Sequence, residues 1–196
     1  MNLRSRHTNL LLALLCAAWL PFLSATGTAL GATPPPMPAI AGQFDLETLD
    51  GREVTDADYR GKWLLIYFGY TYCPDVCPTV LNEIGTALNE LGPTAAKVQP
   101  IFITIDPARD KAPVMKAYLK SFDPRIVGLR GDGDETEATA KAFHVYYQPR
   151  ALGNGQYTVD HSGFLYLINP KGKFATLLTA SLPGHEIAQE LRKRVK

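Results

Sequence analysis

The sequence predicts an α/β fold in which a central mixed sheet is flanked by helices and preceded by an N-terminal hairpin. Three observations carry this expectation. Apolar runs of strand length at 62–68 and 98–106 are continuous rather than alternating, as in strands buried on both faces. After each of them, apolar residues recur at helical spacing. Two later runs, 164–168 and 174–178, enclose the turn sequence Asn169-Pro170-Lys171-Gly172 and read as an antiparallel pair.

The elements follow in order. Phe44 to Thr55 reads as the opening hairpin, turning at Asp50-Gly51, and Lys62 to Phe68 (KWLLIYF) as the central strand. Pro78 suits the first turn of a helix, where its missing N–H breaks no hydrogen bond. Val80, Leu81, Ile84, Leu88 and Leu91 make that helix's apolar stripe, and Gly92-Pro93 ends it. Val98 to Asp106 is a second buried strand. Val114, Met115, Tyr118, Leu119 and Phe122 mark a second helix, Ile126 to Leu129 a short strand and Glu135 to Phe143 a third helix. A further hairpin turns at Gly153-Asn154-Gly155, and Ile187, Ala188, Leu191 and Val195 give a closing helix. This succession matches the thioredoxin-like arrangement.

A chain of 196 residues that is 46% hydrophobic and 20% charged can bury one sizeable core, so a single domain is expected over 39–196. The formal charge of +1 falls by two when Arg4 and Arg6 are set aside, since no other charged residue precedes Asp45. So neutral a domain gives nucleic acid no electrostatic reason to bind.

Arg4 and Arg6 precede an apolar run from Leu10 to Leu23 and a small-residue stretch from Ser24 to Ala32, the layout of a secretory signal. The uncharged continuation through Ala32 suits an uncleaved anchor equally well. Residues 1–32 are therefore expected to be a signal peptide or N-terminal membrane anchor, with contact to the membrane if uncleaved. Thr33 to Pro38 (TPPPMP) reads as a stiff spacer. Cys16 is an apolar residue of the leader, which leaves Cys73 and Cys77 as the domain's thiols in an oxidising compartment.

Cys73-Pro-Asp-Val-Cys77 lies between a buried strand and a helical first turn, so the helix N-terminus favours thiolate over thiol. Four-residue spacing across that turn brings the Cα atoms to roughly 6 Å, which permits a disulfide and also lets both sulfurs face one ion. A structural disulfide, redox exchange and metal binding all fit the pair. His161, in Asp160-His161-Ser162 before the strand at 164–168, returns beside the cysteines in a thioredoxin-like topology. Two thiolates and an imidazole suit Cu(I) or Cu(II) and make a poor site for hard cations. Asp160 is the expected partner of the ring, while a hydrogen-bonded structural histidine is the plainer reading. His7, His144 and His185 each have an ordinary packing or surface explanation.

Thr104-Ile-Asp-Pro-Ala-Arg-Asp110 ends the second buried strand, where sites gather in α/β sheets. It reads either as lining for the entrance to the cysteines or as a capped surface turn with Arg109 paired to Asp106. Gly131 to Glu137, rich in acids, opens a helix rather than forming a calcium loop.

From about Gly42 to the last helix, the chain resembles the Sco/SenC/PrrC family. The resemblance rests on Tyr67-Phe-Gly-Tyr-Thr-Tyr-Cys-Pro-Asp-Val-Cys-Pro78, Pro100-Ile-Phe-Ile-Thr-Ile-Asp-Pro-Ala-Arg-Asp110 and Asp160-His-Ser-Gly-Phe-Leu-Tyr-Leu167. It implies a thioredoxin-like, copper-binding assembly factor for cytochrome c oxidase, with copper ligands at Cys73, Cys77 and His161. It also implies a domain held outside the cytoplasm, in the periplasm, by an N-terminal anchor in the inner membrane. The implied partner is the apo form of oxidase subunit II, or another copper donor or acceptor protein. A thiol-disulfide oxidoreductase acting on the cysteines of the oxidase copper site is the alternative. A thiol peroxidase, suggested by the Thr71-x-Cys73 placement, is a further one.

Overall fold

The computed structural model describes residues 40–196. The expected leader at 1–32 and spacer at 33–38 lie outside the described residues.

Asp50-Gly51 turns the opening hairpin, with Gly51 at φ +81°, between β1 (Asp45–Thr48) and β2 (Glu53–Thr55). The central strand β3 (Trp63–Gly69) is buried from Leu64 onward. It pairs in parallel with β4 (Val98–Thr104), Ile66 opposite Ile101, and antiparallel with β8 (Phe164–Ile168), Ile66 opposite Tyr166. β5 (Val127–Arg130) runs parallel to β4 and meets β1 antiparallel, while β9 (Phe174–Thr179) closes the other edge on β8. The mixed sheet has the order β2-β1-β5-β4-β3-β8-β9.

Among the described residues four α-helices accompany it: α1 (Val76–Leu91), α2 (Ala112–Leu119), α3 (Gly133–Ala142) and α4 (Gly184–Arg192). Strand alternation divides the core between the two faces. Phe68 and Tyr166 pack their rings against Phe143 on one face, while Tyr67, Phe102 and Tyr118 pack as a tilted series on the other. The α1 stripe of Val80, Leu81, Ile84 and Leu88 is buried, and α4 packs beside α1 with Ile187, Ala188 and Leu191. The acidic stretch caps α3: the Asp132 side chain accepts from the Glu135 N–H at 2.9 Å, and the Glu135 carboxylate accepts from the Asp132 N–H at 2.7 Å.

The expected hairpin at Gly153-Asn154-Gly155 is β6 (Tyr147–Gly153) with β7 (Gln156–His161), its turn left-handed at Asn154 and Gly155. It forms a separate two-stranded sheet rather than an extension of the main one. His161 is thus the last residue of a strand, opposite Tyr147. Among the described residues no helix is long and apolar enough to cross a membrane.

Candidate metal centre

Both cysteines sit where β3 hands over to α1. Cys77 occupies the first turn of α1 and is fully buried, whereas Cys73 precedes the helix and is partly exposed; neither is in a disulfide. Gly69 makes room for this packing. A Cβ there would stand 2.8 Å from the Phe102 ring and 3.0 Å from Cys77 Sγ, so only glycine lets the sulfur rest against the strand end.

The two thiols are electrostatically unlike. Cys73 is held down to about 3, chiefly by a hydrogen bond from the Cys77 thiol, with help from the Cys77 backbone N–H at 3.4 Å and against the effect of burial. Cys77 is pushed far up by donating that proton and by burial, although the Tyr67 hydroxyl, donating to its sulfur at 3.5 Å, favours the thiolate. The pair therefore carries one charge, and it rests on the accessible sulfur.

His161 comes to this pair from β7. Its Nε2 lies 3.8 Å from Cys77 Sγ, and its Nδ1 is 3.1 Å from the Ser162 carbonyl oxygen. A carbonyl can only accept, so Nδ1 carries a proton, and in the neutral ring Nε2 is the nitrogen whose lone pair is left to face the sulfur. The ring also stands edge-on to Tyr67 and Tyr70, with centroids at 6.1 and 6.0 Å. Asp160, expected to hold the ring, instead pairs with Arg150 on the facing strand of the hairpin. The Ser162 backbone does that work, which no residue type could have announced.

The turn after β4 packs between the cysteine loop and the hairpin that carries His161. Asp110, fully buried, accepts from the Thr71 N–H at 3.0 Å, the Thr71 hydroxyl at 2.6 Å and the Thr104 hydroxyl at 2.7 Å. Burial pushes its carboxyl up, and those three donors counter the shift. Arg109 pairs with Asp106 at 2.5 Å, as the sequence suggested, but the pair is not a surface one: Asp106 is buried and Arg109 lies partly buried among the rings of Tyr70, Tyr72 and Tyr157, while Ala108 at the tip of the turn is exposed. A cleft of about 300 Å³ opens beside Cys73, lined by Tyr70, Pro74, Val76, Thr158 and His161. Among the described residues no three or more His, Cys, Asp or Glu are gathered into a ready metal cluster. His144, at φ +54° after α3, and His185, exposed beside Glu186, take no part.

The first helical turn, the thiol pair and a facing imidazole define a thioredoxin-like class with an added nitrogen donor. Within that class, the family model described as SCO1/SenC matches residues 32–196, and the chain belongs to that family. It is 40% identical over 162 residues to the mitochondrial SCO1 homolog of Homo sapiens, covering 81% of this chain and 54% of that protein. The chain spans about half the length of the curated relatives it matches. Among solved structures, Bradyrhizobium japonicum ScoI with copper bound is 42% identical, with a TM-score of 0.73, covering 79% of this chain and 99% of that one. Yeast Sco1 with copper bound is 40% identical, with a TM-score of 0.74, covering 81% and 89%.

Proposed function

We propose that this chain is a copper metallochaperone that binds one copper ion, as cargo, through Cys73, Cys77 and His161. The observation that carries the reading is the distance from His161 Nε2 to Cys77 Sγ, 3.8 Å, with Nδ1 turned to a carbonyl oxygen and Nε2 turned to the sulfur. Typical bonds of about 2.3 Å to sulfur and about 2.0 Å to nitrogen, opened to a tetrahedral or trigonal angle, separate two ligand atoms by roughly 3.5–3.7 Å. These two atoms can therefore share an ion almost where they stand. Cys73, the charged and partly exposed thiol, completes the set by a side-chain rotation. The donors are soft sulfur and borderline nitrogen, which fits the copper bound by the bacterial and yeast relatives.

In this reading the acceptor is the apo form of cytochrome c oxidase subunit II, or another copper donor or acceptor protein, and Cys73 is the ligand a partner reaches first. Residues 1–32 serve as signal peptide or anchor, 33–38 as spacer and 39–196 as the copper domain. The protein then works outside the cytoplasm, in the periplasm and tethered to the inner membrane if the leader is uncleaved.

One observation favours a second reading, thiol-disulfide exchange with the cysteines of the oxidase copper site: a thiolate at Cys73 backed by the buried thiol of Cys77. A thiol peroxidase has less support, because the Thr71 hydroxyl commits its proton to Asp110. Substitution of His161 separates these readings. In the reduced full-length chain, His161→Ala is expected to weaken Cu(II) by more than the about 10–100-fold that loss of a supporting group costs, and Cu(I) by less. Titration followed by thiolate-to-Cu(II) absorption measures this. Unchanged Cu(II) affinity with loss of disulfide exchange would make His161 a proton-transfer group and put the oxidoreductase first.

A further inference from the structure

We propose that Arg109 is a positioning residue for the copper site: with Asp106 it braces the β6–β7 hairpin and so sets His161 against Cys77. The inference rests on the copper-binding reading above. The hairpin shares no backbone ladder with the main sheet, and an isolated two-stranded unit is marginal in water, so side chains must fix where it sits. Arg109 supplies two of these contacts. Its Nη1 donates to the Tyr157 carbonyl oxygen at 2.8 Å, and its guanidinium lies 3.6 Å from the centre of the Tyr157 ring. Asp106 holds Arg109 Nε through one carboxylate oxygen at 2.5 Å and accepts from the Tyr157 hydroxyl through the other at 2.7 Å. Tyr157 stands four residues before His161 on the same strand.

A second contact joins hairpin to site. The Tyr70 hydroxyl meets Thr158 Oγ1 at 2.8 Å and accepts from the Val159 N–H at 3.3 Å, while its ring packs edge-on to His161. Arg109 also lies 5.7 Å over that ring. The same turn holds the cysteine loop through Asp110 and Thr71. A single turn therefore grips both sides of the site, and the separation of sulfur from nitrogen depends on it. Arg109 Nη2 is buried without a hydrogen-bond partner among the described residues, an arrangement that stability alone does not favour.

The test is a double-mutant cycle on the reduced full-length chain, purified in mild detergent and titrated with Cu(II) against a chelator. Arg109→Ala is expected to lower Cu(II) affinity by about 10–100-fold and to weaken the thiolate-to-Cu(II) absorption band. Cu(I) affinity should change far less. Added to His161→Ala, the same change should lower Cu(II) affinity by no more than about twofold, because the brace acts only through the imidazole. Equal losses in both backgrounds would overturn the proposal. Should Arg109→Ala fail to fold, Arg109→Lys, which keeps the charge beside Asp106 but loses the fork to Tyr157, and Tyr157→Phe take its place in the same cycle. If His161→Ala leaves Cu(II) binding intact, the copper reading falls and the brace falls with it. If His161→Ala weakens binding and no brace variant does, the brace alone falls.

Discussion

Two thiols four residues apart differ because one faces water at a helix start and the other is enclosed. Cys73 takes the helix N–H groups and the charge; Cys77, against Gly69 and Tyr67, keeps the proton. Folding lowers the Cys73 value from an ordinary thiol's to about 3, so the fold favours its ionised form. The stabilisation this gives is fully present above the ordinary thiol range and fades as pH falls toward 3. Alkylation of the reduced, metal-free chain by iodoacetamide, located by mass spectrometry, is expected to fall on Cys73 at a rate nearly flat from about pH 8 to about pH 4. A rate falling tenfold per pH unit just below pH 8 would show an ordinary thiol there. That Cys73, Cys77 and His161 deserved to be considered together was legible because their residue types carry the chemistry, and the fold brings them side by side. The Ser162 carbonyl was not, since every residue has one, and neither was Tyr67, which reads as one more apolar position in a buried strand.

At the scale of elements, local rules explain most of what the sequence showed. The apolar stripe of α1, the stop at Gly92-Pro93 and the turn at Asn154-Gly155 depend on near neighbours, and all stand where the pattern put them. The capping box of α3 is equally local. Asp132→Ala removes the acceptor for the Glu135 N–H and should destabilise the chain by about 1 kcal/mol, lowering Tm by roughly 2–4 °C. Circular dichroism on heating measures the shift; copper affinity should not change, because α3 carries no ligand. An unchanged Tm would mean that Glu135 and water replace the cap. The place of the hairpin was not legible: Tyr70 meets Thr158 across 88 positions and Arg109 meets Tyr157 across 48. Hydrophobic periodicity records burial and is silent about which distant surface does the burying.

At the scale of the whole molecule, the site lies at the C-terminal ends of β3 and β4, where parallel strands open onto helix starts, and the added hairpin brings a third donor over that edge. The thioredoxin-like order was readable from the alternation of strands and helices, whereas the attachment of β1 to β5 was not, because strand order across a sheet leaves no periodic trace. In the proposed reading, the architecture that allows a disulfide also assembles the copper site, and the two states compete for the same sulfur electrons. Copper bound only to the reduced fold should stabilise it by mass action, by about 2.7 kcal/mol at a free concentration 100 times Kd. For a chain of this size that corresponds to a rise in Tm of roughly 5–10 °C. Calorimetry of the reduced chain with and without Cu(I) should show the rise, and the chain with Cys73 and Cys77 oxidised to a disulfide should show none, since disulfide sulfur lacks the thiolate's charge. An equal rise in the oxidised chain would place the metal somewhere other than on these two sulfurs.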